Sequence, residues 1–159
     1  MVKQRRSYGL VAWLLVTFAA AAIGNLATST NVGAWYHQLA RPAWTPPDWI
    51  FGPVWTALYL MMAFAAWLVW RPAGFAAARW PLGLFLVQLA LNSLWSVLFF
   101  GVQRPDVAAV EVVLLWLAIL ATLIAFWKRS STAGWLLVPY LAWVTFAAVL
   151  NFEIARLNS

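Results

Sequence analysis

Five long apolar runs, divided by short polar or proline-rich breaks, constrain this chain more than any other feature. They fall at about Tyr8–Ala27, Trp49–Trp70, Pro81–Gly101, Ala108–Trp127 and Ala133–Ile154. A helix needs roughly 20 apolar residues to cross the hydrocarbon of a bilayer, and each run has that length. The runs lack strand-like alternation and are about twice as long as a membrane β-strand. In hydrocarbon every backbone N–H and C=O must find a partner inside the protein, so continuous helices suit such segments. The expected fold is an all-α integral membrane protein, a bundle of five transmembrane helices. Residues 1–159 read as a single membrane domain with no repeat and no second domain. Composition agrees, with 65% hydrophobic and 9% charged residues, against about 25% charge in a soluble domain.

Lys3, Arg5 and Arg6 precede the first run, as in a secretory signal. Its apolar stretch exceeds the roughly 7–15 residues of a signal core, so a retained first helix is expected. The breaks carry an uneven charge. Lys3, Arg5, Arg6, Arg71, Arg79, Lys128 and Arg129 fall on one side of the spans, and Arg41, Arg104 and Arg156 on the other. The positive-inside rule then puts the amino terminus in the cytoplasm, and the carboxyl terminus and the first long loop outside. The net charge of +6 reads as membrane orientation. Because the cations lie between apolar runs, no nucleic-acid partner is expected.

The break from Trp35 to Trp49 holds three tryptophans and three prolines in fifteen residues. Proline forbids a helix across it, and indoles favour the membrane–water boundary. An ordered loop over about residues 30–48 is expected to act as a lid on the membrane face. Asp48, after Pro46 and Pro47, is expected to cap the second helix.

Below that lid, polar and aromatic residues converge in depth. At about 1.5 Å of rise per residue, Trp55, Trp95, Trp116 and Trp143 lie about 9–16 Å below the outer ends of their helices. Trp35, Trp44, Trp49, Trp70, Trp80, Trp127 and Trp135 instead fit the interface. Helical spacing puts Gln88, Asn92, Trp95 and Phe99 on one face, Tyr140, Trp143, Ala147 and Asn151 on another, and Trp55, Tyr59 and Met62 on a third. Gln88, Asn92 and Asn151 suit interhelical hydrogen bonds equally well. Taken as a set, these faces describe a pocket for a flat, largely apolar ligand with a few polar groups.

Chemistry-bearing residues are scarce. The chain has no cysteine, which excludes disulfides, thiolate catalysis and Cys-ligated metal. His37 stands alone, so no metal site is expected and a hydrogen-bonding role in the loop is. Glu111 lies near the start of the fourth helix, where a carboxylate favours the N-terminus. Glu153 and Arg156 are spaced to pair. No nucleophile triad, phosphate loop or paired carboxylates appear.

Three stretches carry a resemblance to a known family. They are Trp35-Tyr36 through Arg41-Pro42-Ala43-Trp44-Thr45-Pro46-Pro47 with Phe51-Gly52-Pro53-Val54-Trp55; Gln88-Leu89-Ala90-Leu91-Asn92-Ser93-Leu94-Trp95-Ser96 with Phe99-Phe100-Gly101; and Pro139-Tyr140-Leu141-Ala142-Trp143 with Phe146-Ala147 and Leu150-Asn151-Phe152. The chain resembles the TspO/MBR family of tryptophan-rich sensory proteins and mitochondrial translocator proteins. The resemblance implies a five-helix bundle, usually a homodimer, that binds porphyrins such as protoporphyrin IX and haem; no obligatory cofactor is implied. By position, Trp55 and Trp143 match tryptophans implicated in porphyrin photodegradation, and would be catalytic only if that reaction occurs. Asn92, Trp95, Trp116, Ala147 and Leu150 match cavity positions. With Trp44, Trp55, Tyr59, Gln88, Tyr140, Trp143 and Asn151 they make the expected ligand-binding set. Phe152 stands where the family's sterol motif needs tyrosine, so specific sterol recognition is not expected. Gly83 is followed by Val87 where a glycine-zipper dimer face needs a second small residue. A bacterial membrane is the expected location. A tetrapyrrole receptor or sensor ranks first, above a light- and oxygen-dependent porphyrin-degrading enzyme and a tetrapyrrole or lipid transporter. No acid–base pair serves catalysis, and no inverted repeat serves transport.

Overall fold

The apolar runs become helices whose ends are set by polar or proline residues at their borders. In the computed structural model, residues 2–29, 33, 35–72 and 74–159 are described, with side chains from Ser7 onward. Of the expected lid, Thr30, Asn31, Val32 and Ala34 lie outside the described residues, as do the side chains of Lys3, Arg5 and Arg6. The long helices are α1 (Val2–Ser29), α2 (Phe51–Trp70), α4 (Arg79–Ser96), α5 (Pro105–Trp127) and α6 (Ser131–Leu157), with a short α3 at Gly74–Ala77. No strand occurs among the described residues. Five helices are long and apolar enough to span a membrane, so the molecule is an integral membrane five-helix bundle.

The starts of α4, α5 and α6 fall two or three residues before the expected ones, because a helix begins at its cap and not at its first apolar residue. Helix α1 starts six residues early, at Val2, and α2 two residues late, at Phe51. Pro105 opens α5, where its missing N–H costs nothing. The Ser130 hydroxyl accepts from the Ala133 N–H at 3.3 Å and caps α6. Asp48 corrects the expectation placed on it. It opens a 3-10 turn, Asp48–Ile50, and no side-chain cap bond is made there or at the start of α2. Its carboxylate turns to the lid instead, 3.3 Å from His37 Nε2 and 3.4 Å from Arg41 Nη1.

The main pairings place the long helices in a ring ordered α1, α2, α6, α5, α4 and back to α1. Lipid tails are as apolar as the side chains, so packing and hydrogen bonds hold such helices together. On α2 the wholly buried Ala63, Ala65 and Ala66 allow close approach. Phe85 stacks on Phe126 at 5.7 Å and takes the edge of Trp13 at 5.7 Å. These residues, with Leu82, Ile119 and Leu137, fill the half of the bundle away from the lid. Toward the lid the filling stops, and a second, smaller cluster of Tyr36, Phe99, Ala108, Leu150 and Ile154 takes over. Leu15, Leu26, Val110 and Leu114 project outward as lipid-facing surface.

The α5–α6 turn tests this packing. A Cβ on the buried Gly134 would run into the Trp127 side chain. Gly134→Val should lower stability by about 1–3 kcal/mol, seen as an earlier unfolding midpoint when the micelle is titrated with a denaturing detergent. Gly83→Ala, where a Cβ meets nothing within 4 Å, should leave that midpoint in place.

Candidate functional site: a roofed aromatic chamber

Between the two clusters lies a chamber of about 600 Å³. Phe18, Ala21, Gly24 and Asn25 of α1 form one wall, and Trp55 and Tyr59 of α2 the next. Asn92 and Trp95 of α4 and Trp143, Ala147, Leu150 and Asn151 of α6 complete it. Tyr36 and Asp48 reach it from the lid.

The floor is a chain of hydrogen bonds across three helices. The Tyr59 hydroxyl donates to Asn92 Oδ1 at 2.5 Å, and Asn92 Nδ2 donates to the Tyr140 hydroxyl at 3.1 Å. Tyr140 in turn donates to Gln88 Oε1 at 2.7 Å, and Gln88 Nε2 points at the Met62 sulfur at 3.8 Å. Each polar side chain of this floor is thereby given a partner, which hydrocarbon demands. Nearer the lid, Asn151 accepts from Trp95 Nε1 at 2.9 Å and donates to the Pro105 carbonyl at 2.8 Å. One amide thus fixes the Trp95 ring and ties α6 to the start of α5. The Trp143 indole N–H is buried without a partner, as are both Glu111 carboxylate oxygens.

Above Trp95 the helix changes pitch. Residues Val97–Gly101 form a π-turn, and Gln103 follows at φ 58°. The wider turn gathers Trp95, Phe99 and Phe100, with ring centroids 5.4 Å apart for Trp95–Phe99 and 4.8 Å for Phe99–Phe100. Such turns often mark functional sites. Tyr36 packs on Phe99 and Phe100 at 6.3 and 5.7 Å. The Arg41 guanidinium lies 4.7 Å from the Tyr36 ring centroid. Burial raises the Tyr36 phenol above its ordinary range, against the opposing pull of Arg41. Farther along the lid, the Ala40 N–H donates to Asn158 Oδ1 at 3.0 Å and its carbonyl accepts from Asn158 Nδ2 at 2.9 Å.

This architecture has relatives. The sequence profile of the TspO/MBR family matches residues 12–157. The chain belongs to the TspO/MBR family. It is 39% identical to the tryptophan-rich protein TspO of Archaeoglobus fulgidus over 150 residues, covering 94% of this chain and 97% of that one. It is 42% identical to the tryptophan-rich sensory protein of Cereibacter sphaeroides over 149 residues, 92% of each chain. Identity to the human translocator protein is 43% over 126 residues, 78% of this chain and 75% of that one.

Within this TspO/MBR chamber the expected ligand-binding residues divide. Trp55, Tyr59, Asn92, Trp95, Trp143, Ala147, Leu150 and Asn151 line it. Gln88 and Tyr140 lie beneath as the fully buried part of the floor. Trp116 does not line it. Its N–H donates to the Thr145 hydroxyl at 2.8 Å on the α5–α6 surface. Depth along the axis was right for a lining residue, but Trp116 stands one position past the buried Leu115, about 100° around the helix. Trp44 is 48% exposed and meets Phe146 edge-on at 5.9 Å at the rim. The α1 wall was not foreseen. Asn25 and Thr28, polar within an apolar run, were the signal available.

Tyr140→Phe removes the hydroxyl that joins Asn92 to Gln88 and leaves both amides short of a partner. The expected cost is about 1–2 kcal/mol, read as a lower thermal midpoint in detergent with unchanged helix content.

Proposed function

We propose that the chamber is a receptor site for a flat tetrapyrrole, protoporphyrin IX or haem. The observation that carries this is the placing of Trp55, Trp95, Phe99 and Trp143 around one space of about 600 Å³. Apolar walls with sparse, fixed polar groups suit a large planar ligand. Asn92 and Asn151 offer amide groups at the wall. Neither imidazole nor thiolate is among the lining residues, so recognition rests on the ring and its substituents and not on those axial ligands to iron. The TspO/MBR relatives named sensory protein and translocator protein bring sensing and translocation to the same site as alternative outcomes of binding. The excess of cations on one side, seven against three, supports an amino terminus in the cytoplasm with the lid and carboxyl terminus outside, and the bacterial relatives support a bacterial membrane. A homodimer, without specific sterol recognition, completes this reading.

Protoporphyrin IX titrated into the detergent-solubilised protein should quench tryptophan emission saturably, with Kd micromolar or tighter, about −8 kcal/mol. The triple Trp→Phe variant at 55, 95 and 143 should bind at least tenfold more weakly; unchanged affinity in a folded triple variant would put the ligand elsewhere. Ala147→Thr adds volume at the wall and should also weaken binding, with a stability cost of about 1–3 kcal/mol.

One arrangement favours a second activity at the same site. Trp55 and Trp143 both line the chamber, and each touches another aromatic ring: Trp55–Tyr59 at 5.6 Å and Trp143–Phe51 at 5.8 Å. Indole is the most readily oxidised side chain present. With light and oxygen, these residues can give up an electron to an excited porphyrin. Bound protoporphyrin IX should keep its absorption spectrum in the dark without oxygen and convert under illumination in air. Trp55→Phe or Trp143→Phe should suppress the conversion while leaving most binding. Decay no faster than that of free porphyrin would remove the enzymatic activity and leave the receptor.

A further inference from the structure

The four acidic residues of the chain, Asp48, Asp106, Glu111 and Glu153, all lie in the lid-side half of the bundle. Each cation at that end has one of them as a partner. Arg41 pairs with Asp48 at 3.4 Å, Arg104 with Asp106 at 2.6 Å and Arg156 with Glu153 at 2.8 Å. The opposite end is different. Arg71 at the end of α2, Arg79 at the start of α4, and Lys128 and Arg129 in the α5–α6 turn are all exposed. Among the described residues no carboxylate lies within ion-pair distance of any of the four. Lys3, Arg5 and Arg6 precede α1's apolar stretch and add to the same side in sequence.

Local contacts hold two of these cations, Arg129 and Arg71, in place. Arg129 Nη2 donates to the Ala77 carbonyl at 2.9 Å, which brings the α5–α6 turn against the segment before Arg79. The Arg71 guanidinium lies 5.1 Å from the Trp67 ring centroid. Trp80 and Trp135 are exposed on that end, and Trp135 packs on Trp127 at 4.8 Å. Exposed indoles at a helix end sit at headgroup depth. The cations beside them are therefore level with lipid phosphates.

We propose that this end of the bundle is a binding surface for the headgroups of anionic phospholipids, with Arg71, Arg79, Lys128 and Arg129 as the phosphate-contacting residues. A soluble polyanion is the weaker match, because the patch is flanked by indoles and continues into the apolar lipid-facing surface. The surface is independent of whatever the chamber binds.

The test is lipid retention on the purified full chain, taken from vesicles of equal phosphatidylglycerol and phosphatidylcholine and measured by native mass spectrometry. Phosphatidylglycerol should be retained over phosphatidylcholine by about fivefold or more. The variant Arg71→Gln/Arg79→Gln/Lys128→Gln/Arg129→Gln should fall to near parity. Arg104→Gln/Arg156→Gln, at the other end, should keep the parent's preference. If the quadruple variant fails to fold, salt decides on the parent chain: the preference should collapse by about 0.5 M, where the screening length is only a few ångströms. Equal retention of the two lipids by the parent, or an equal loss in the lid-end variant, would overturn the proposal. So would a preference that survives high salt. Binding of inorganic polyphosphate as tight as that of phosphatidylglycerol would make the partner a soluble anion and overturn it too.

Discussion

Three of the five spans are joined by one buried line of hydrogen bonds, from Tyr59 on α2 through Asn92 on α4 and Tyr140 on α6 back to Gln88 on α4. In hydrocarbon those groups have no water to turn to, so each must be met by another. The line sets the floor height of the chamber. Below it the bundle packs solid on Phe85, Phe126 and Leu137. Above it the helices are spaced by tryptophans that do not fill the middle. The pocket lies between the hydrogen-bonded floor and the lid, walled by Trp55, Trp95 and Trp143.

The upper wall has a separate cause. An α-helix continued through Val97–Gly101 would turn the next side chains by about 100° each. The π-turn slows that rotation, so Trp95, Phe99 and Phe100 stay together on the lid side. Tyr36 then has an aromatic surface to settle on. The lid is fixed at separate points by different forces: ring packing at Tyr36, charge at Asp48 and paired amide hydrogen bonds at Ala40.

Helix number and class were legible because a run of twenty apolar residues has one good structure in a bilayer. Most of the α2, α4 and α6 walls were legible as well, since Asn92, Trp95, Trp143 and Asn151 stand out against aliphatic neighbours. What stayed hidden had physical reasons. Trp116 shares their depth, but a shift of one residue turned it away from the chamber. Asp48 follows two prolines as a cap should, yet Arg41 and His37 compete for its carboxylate through contacts that no local pattern encodes. The α1 wall is built in part from Ala21, Ala22 and Gly24, small residues that do not stand out in an apolar run.

Asn158 grips Ala40 across a separation of 118 residues. During synthesis the chain emerges from its amino end, at about 5–20 residues per second. Residue 158 therefore appears only after all five spans have been made. Until α6 is made the walls on α1, α2 and α4 stand without it, and until Asn158 follows, the loop above them lacks that anchor. The order of translation thus gives the chamber a period in which it is open at the side and above, before the last helix seals both.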